Sequence, residues 1–112
     1  MLLAYGDLII VEGEKNVMGI KNQEVIGTIT ATITGEPIDG TFVIITPPSH
    51  GQAVLFDITS ATRRRRTKTN SSITWKYVPD YDYTGPDSFV IAITDQNGNV
   101  KEQKITLVIS NS

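Results

Sequence analysis

Apolar and polar side chains alternate with a period of two along most of this chain, and no window carries the three-to-four spacing of a helical stripe. The clearest case is EVIGTITATIT, residues 24–34. Val25, Ile29, Ala31 and Ile33 fall on one side and Thr28, Thr30, Thr32 and Thr34 on the other. β-Branched residues in that arrangement fit a pleated surface with one face buried, so a strand is predicted here. The same reading places a first strand at residues 7–11, closed by the polar EGEKN. It treats residues 40–46, apolar on both faces, as a central strand. In residues 51–58 it sends Val54, Phe56 and Ile58 inward. Three further stripes follow: Ile73, Trp75 and Tyr77; Phe89, Ile91 and Ile93; and Ile105, Leu107 and Ile109.

Turn chemistry separates these segments: GEPIDG, TPPSHG, PDYDYTGPD and DQNGN. Proline and glycine preset the backbone angles of tight turns, and Asn-Gly is the strongest short hairpin signal, so Asp95 to Gly98 is expected to join the last two strands. About seven strands at this spacing, without a helix, predict an all-β fold: an immunoglobulin-like antiparallel β-sandwich of Greek-key type, with the long connection at 79–86. Residues 1–112 are expected to form a single domain.

Composition narrows the function classes. The 39% hydrophobic and 20% charged content are those of a folded domain, and no apolar run reaches the roughly 20 residues of a membrane helix, so membrane insertion is not expected. The absence of cysteine removes disulfides, thiolate metal sites and thiol catalysis. MLLAYGDLIIVEGE has no basic flank and breaks at Gly6-Asp7, so it does not read as a signal peptide. Net charge is −2, yet of 10 basic residues Arg63, Arg64, Arg65, Arg66 and Lys68 crowd into six positions. The rest of the chain is therefore acidic, and the molecule is an electrostatic dipole rather than a basic domain.

The C-terminal third, TWKYVPDYDYTGPDSFVIAITDQNGNVKEQKITLVIS, resembles the closing half of the cadherin-like, immunoglobulin-like repeats of bacterial surface proteins and large adhesins. Tyr77, Pro79, Tyr83, Gly85, Asp87, Ser88, Phe89, Asp95, Asn97 and Gly98 carry the likeness. Pro48, His50 and Gly51 match the turn such repeats place before a strand, and the resemblance extends over residues 24–110. It implies a non-enzymatic structural or adhesive module, a repeat or fibre subunit, located outside the cell or at its surface. The partners it implies are neighbouring protein domains or copies of the chain itself. Two departures stand out. Only Glu36 and Asp39 occupy the turn that is often Asp-rich in those repeats, and residues 59–72 form a basic insertion where a short turn is usual.

Candidate chemistry is sparse. The lone histidine, His50, has Ser49 beside it rather than on a nucleophile elbow, and no phosphate-binding glycine loop is present, so no enzyme is expected. Asp80, Asp82, Asp87 and Asp95 are hard oxygen donors of the kind calcium takes, but acids in such loops also cap turns, and their spacing matches no dedicated calcium loop. Calcium at these four positions therefore rests on the resemblance. No cofactor is otherwise implied. The arginine run lacks interleaved aromatics between Phe56 and Trp75, which argues against nucleic acid. It leaves a solvated loop, or a contact to an acidic protein or to an acidic cell-surface polymer. A polyanion- or carbohydrate-binding module using residues 59–72, or a phage or virion decoration domain, stands as the alternative function. Finally, Gly13 and its charged neighbours mark residues 1–13 as a strand able either to complete its own sheet or to exchange with another copy.

Overall fold

Two stacked sheets arise because the alternating stripes aim their apolar sides at one another. A computed structural model describes residues 9–33, 36–37, 40–56, 72–95 and 97–112. Its strands are β1 (Ile9–Gly13), β2 (Asn16–Ile20), β3 (Val25–Ile33), β4 (Glu36–Pro37), β5 (Thr41–Thr46), β6 (Gly51–Phe56), β7 (Ser72–Pro79), β8 (Gly85–Thr94) and β9 (Val100–Ser110). One sheet runs β1-β3-β7-β6, with the two-residue β4 attached to β3; the other runs β2-β9-β8-β5. The fold is an immunoglobulin-like β-sandwich, with no helix among the described residues.

The core holds the predicted stripes. Ile29, Ala31, Trp75, Tyr77, Phe89, Ile91, Ile93, Ile105 and Leu107 have no exposed surface. Trp75 meets Phe89 edge to face at 5.6 Å and 72°, and its indole N–H donates to the Glu14 carbonyl at 3.2 Å. Directly opposite, Gly27 leaves the space the indole occupies, since a Cβ there would lie 2.3 Å from Trp75 Cζ2. On the outer face of the same sheet, hydroxyl pairs Thr28–Thr74 (3.4 Å) and Thr30–Ser72 (2.9 Å) tie β3 to β7.

Three sequence expectations change. EGEKN does not close the first strand: Glu12 and Gly13 complete β1, and residues 16–20 form β2 in the opposite sheet, pairing in parallel with β9. The switch occurs at Gly13, whose φ of 127° is a glycine conformation and whose Cβ would strike the Thr28 carbonyl at 2.1 Å. Second, β5 is an edge strand, not a central one: it pairs with β8 alone among the described residues, and Val43 and Ile45 are half exposed. Third, β6 turns Ala53 and Leu55 toward the core, leaving Val54 and Phe56 on the outside; Ile58 lies outside the described residues. Within the 79–86 connection Tyr81 and Asp82 form a turn, with Asp82 at φ 62°.

Strand direction defines two ends. β1 starts at the entry end, which also carries the β6–β7 and β8–β9 connections. β9 finishes at the exit end, beside the β2–β3, β5–β6 and β7–β8 connections.

Candidate functional site

The exit end is built around one buried carboxylate. Alternation along β8 points Asp87 inward in step with Phe89 and Ile91, so its charge enters the edge of the core at 8% exposure. A buried carboxylate requires donors, and four converge on it. The Ser49 and Ser88 amides donate to Oδ1 at 2.9 and 2.8 Å, while the His50 amide at 2.8 Å and the Tyr77 hydroxyl at 2.6 Å donate to Oδ2. Burial by itself favours the neutral acid. The hydrogen bonds from Tyr77, Ser49, Ser88 and His50 outweigh it and hold the Asp87 carboxyl below its ordinary value of 3.8. Burial, then the hydrogen bond and charge of Asp87, push the Tyr77 phenol well above its usual range, so it stays a donor.

The loops above are locked by the same network. The His50 carbonyl accepts from the Asp80 amide at 2.9 Å, Tyr83 N–H donates to the Asp80 carbonyl at 3.0 Å, and the Tyr83 hydroxyl donates to the Pro86 carbonyl. The His50 imidazole stacks flat on Tyr83 with centroids 4.2 Å apart and planes 5° from parallel. Of the two connection tyrosines, Tyr83 thus packs across the end, while Tyr81 stands in solvent at 85% exposure. Asn22 and Asp82, both in the left-handed region at φ 65° and 62°, bond reciprocally: Asn22 Nδ2 donates to Asp82 Oδ1 at 3.1 Å and Asp82 N–H to Asn22 Oδ1 at 2.8 Å. That clasp joins the β2–β3 turn to the β7–β8 connection, with Lys21 at 3.9 Å from Asp82 as an exposed ion pair. Ser49, His50, Pro86, Asp87, Ser88, Lys104 and Thr106 line a shallow open depression beside it.

The four aspartates named as calcium donors are not gathered. Asp87 and Asp95 sit at opposite ends of β8, Asp80 and Asp82 lie in the exit-end loop, and no group of three or more His, Asp or Glu is placed for a metal among the described residues. Asp95 caps the β8–β9 hairpin instead. Its Oδ1 accepts the Asn97 and Asn99 amides, each at 2.9 Å, and its Oδ2 accepts Asn99 Nδ2 at 2.9 Å. Burial opposes its ionisation, but these bonds, joined by the Gly98 amide, carry its carboxyl below 3.8. With the two buried carboxylates committed to amides, added calcium or a chelator is expected to leave the melting temperature unchanged. A calcium-dependent rise of several degrees would contradict that assignment. Arg63, Arg64, Arg65, Arg66, Lys68 and Asp39 lie outside the described residues.

Sequence reasoning took Asp87 for a loop acid. Its parity with Phe89, Ile91 and Ile93 was the available signal that it faces inward. The partnership of His50 with Tyr83, across 33 positions, had no local signature.

Fold and sites together define a bacterial-type immunoglobulin module whose turn residues carry structural hydrogen bonds. The chain belongs to the bacterial Ig domain family, whose model matches residues 13–108. Such domains are typically non-catalytic and usually occur in surface proteins. No curated protein sequence matches the chain. Among solved structures, it is similar to the BIgI domain of beta protein from S. agalactiae, determined bound to CEACAM1, at 14% identity and a TM-score of 0.54, covering 94% of this chain and 99% of that one. It is also similar to the ASH/PapD-like domain 7 of human CEP192, at 7% identity and a TM-score of 0.56, covering 100% and 92%. At these identities the likeness is one of fold.

Proposed function

We propose that this module is a load-bearing spacer of an extracellular bacterial surface assembly, linking neighbours through its two ends. One observation carries the reading: the described chain enters at one end through β1 and β2 and leaves at the other through β9, and β2 is hydrogen-bonded to β9. β2 and β9 pair in parallel from Asn16↔Thr106 to Ile20↔Ser110, bounded by Thr106 N–H to the Lys15 carbonyl and Lys21 N–H to the Ser110 carbonyl, both 2.8 Å. Tension on the ends pulls β2 toward the entry end and β9 toward the exit end. The ladder is then loaded in shear, so all its bonds resist together rather than opening one at a time. β1 against β3 is loaded in the same sense.

Family membership supports the surface setting, and the partner-bound streptococcal domain of the same fold supports an interaction role. Single-molecule stretching from the two ends tests the proposal. One cooperative unfolding step at a force above that needed when the same domain is pulled across its strands is expected. Stepwise peeling at low force from the ends would overturn it.

A further inference from the structure

Four strands form the sides of the sandwich: β1 and β2 along one, β5 and β6 along the other. A strand at a sheet edge turns unpaired amides and carbonyls outward, and folded proteins guard such edges with charges, prolines, bulges or breaks. Three of the four are guarded. β1 carries Glu12 and breaks at Gly13, β2 stands between Lys15 and Lys21, and β5 is bulged between Ile44 and Thr46 and runs into Pro47-Pro48. β6, GQAVLF, has no charge, proline or bulge. Its six residues pair with β7 in unbroken register, and its other side meets no strand among the described residues. On its outer face Val54 is 48% and Phe56 39% exposed. We infer that β6 pairs with β6 of a second copy of this chain, antiparallel across a twofold axis at Val54.

The ladder itself sets the register. The Asp80 amide donates to the His50 carbonyl at 2.9 Å, continuing the Gly51↔Pro79 pairing, so the even-numbered residues of β6 bond to β7. The amides and carbonyls of Ala53 and Leu55 therefore point to the open edge. Ala53 then exchanges both its bonds with Leu55 of the second copy, and Val54 lies against its own equivalent on the outer face. Charge selects a second copy as the occupant. Each copy carries a net charge of −2, yet residues 40–56, which supply both edges on this side, contain no Asp, Glu, Lys or Arg. Two copies meet there without like-charge contact, and a charged partner segment would find no counter-charge. Lys76, opposite Val54 on β7, is already paired with Glu24 at 3.6 Å. Identity of the strands fixes the direction. A parallel ladder staggers its facing residues by one, as with odd residues of β2 and even residues of β9. In two copies of β6 the facing residues are the same odd ones, so only the antiparallel ladder closes on itself. The paired modules run in opposite directions and bridge chains that approach each other. Both ends stay open for linkage, so this contact goes beyond the spacer reading and does not depend on it.

Sedimentation velocity of the full chain over a concentration series tests it. A reversible monomer–dimer equilibrium is expected. Val54→Lys and Val54→Glu each set like charges opposite one another at the axis and should each raise the dimerisation midpoint at least about tenfold. An equimolar mixture of the two should dimerise again. Because Val54 is half exposed, both variants should melt with the wild-type monomer. Oxidative cross-linking reads the register, since the chain has no cysteine of its own. Val54→Cys faces its equivalent as a non-hydrogen-bonded pair with Cα atoms about 4.5 Å apart, inside the disulfide range, and should link readily. Phe56→Cys lies opposite Gln52 of the second copy, about 13 Å along the strand from its equivalent, and should not. A monomer at every concentration overturns the inference. Protection of the Ala53 and Leu55 amides from hydrogen exchange in that monomer would assign the edge to the chain's own residues, and their free exchange would leave it to another protein. Open-ended assembly, a dimer indifferent to Val54→Lys, or equal linking by the two cysteines overturns it as well.

Discussion

Replacing Asp87 with alanine is expected to destabilise the fold by about 3–5 kcal/mol, lowering the melting temperature by on the order of 15 °C or more. The loss follows from what remains behind. The Ser49, His50 and Ser88 amides lose their acceptor, and Tyr77 keeps only the longer 3.2 Å bond to the His50 carbonyl. Each buried donor without a partner costs about 1–3 kcal/mol, partly offset by loop movement and water entry. Asp87→Asn is not a rescue, because the new amide group places a donor where two donors already point. The effect has a definite pH sign. The folded Asp87 carboxyl titrates below 3.8, so its stabilisation is complete above that value and disappears as pH falls through the lower folded value. Asp95, depressed in the same direction, contributes in the same window. Urea denaturation of wild type and Asp87→Ala should therefore diverge at neutral pH and converge in strong acid. A difference below about 1 kcal/mol at pH 7 would refute the assigned role.

The second large effect concerns Trp75. Its truncation to alanine is expected to cost about 3–5 kcal/mol, as buried Trp and Phe truncations do. The informative partner is Gly27, whose missing side chain makes room for the indole. Gly27→Ala alone forces a Cβ to 2.3 Å from the ring and is expected to cost about 1–3 kcal/mol through overpacking. In a Trp75→Leu background the same alanine loses its clash and its cost should fall substantially. Additive effects across this double-mutant cycle would show that the two positions do not share a cavity.

Both effects bear on how much of the molecule was legible beforehand. Trp75, Tyr77, Phe89, Ile91 and Leu107 were readable because strict alternation on a half-buried strand leaves one face no alternative. Gly27 was a silent gap in the β3 stripe: it names no apolar contact, and only the ring from the facing strand explains it. β2 escaped because NVMGI is short and pairs in parallel with a strand some 90 positions away, so no hairpin turn announces it. β5 was misread as central because its apolar residues lie on both faces, and β6 because the wrong one of its two stripes was sent inward; in a two-layer sandwich each strand keeps one face in water, and Val43, Val54 and Phe56 stay part exposed there.

The site was less legible than the fold for a related reason. Composition identified Asp80, Asp82, Asp87 and Asp95 as oxygen donors. Only three-dimensional placement assigns Asp87 to four donors from the β5–β6 loop, strand β7 and its own strand, Asp95 to a hairpin, and Asp82 to a clasp with Asn22 sixty positions away. Carboxylates of one chemical type acquire different roles from the amides that fold around them.

The central claim, that the β2–β9 ladder carries tension between the ends, is tested most directly by stretching two proline variants at adjacent positions. In the parallel ladder the odd-numbered residues of β2 face β9, as the bonds at Lys15 and Lys21 show, so the Val17 amide donates across the ladder and the Met18 amide faces outward. Val17→Pro removes a loaded hydrogen bond; Met18→Pro places its ring on an open edge where no ladder bond is lost. A core variant away from the ladder, Leu55→Ala, controls for stability alone. The account predicts that Val17→Pro unfolds at markedly lower force than wild type, while Met18→Pro and Leu55→Ala stay close to wild-type force even where Leu55→Ala melts lower. Equal unfolding forces for Val17→Pro and wild type would contradict it.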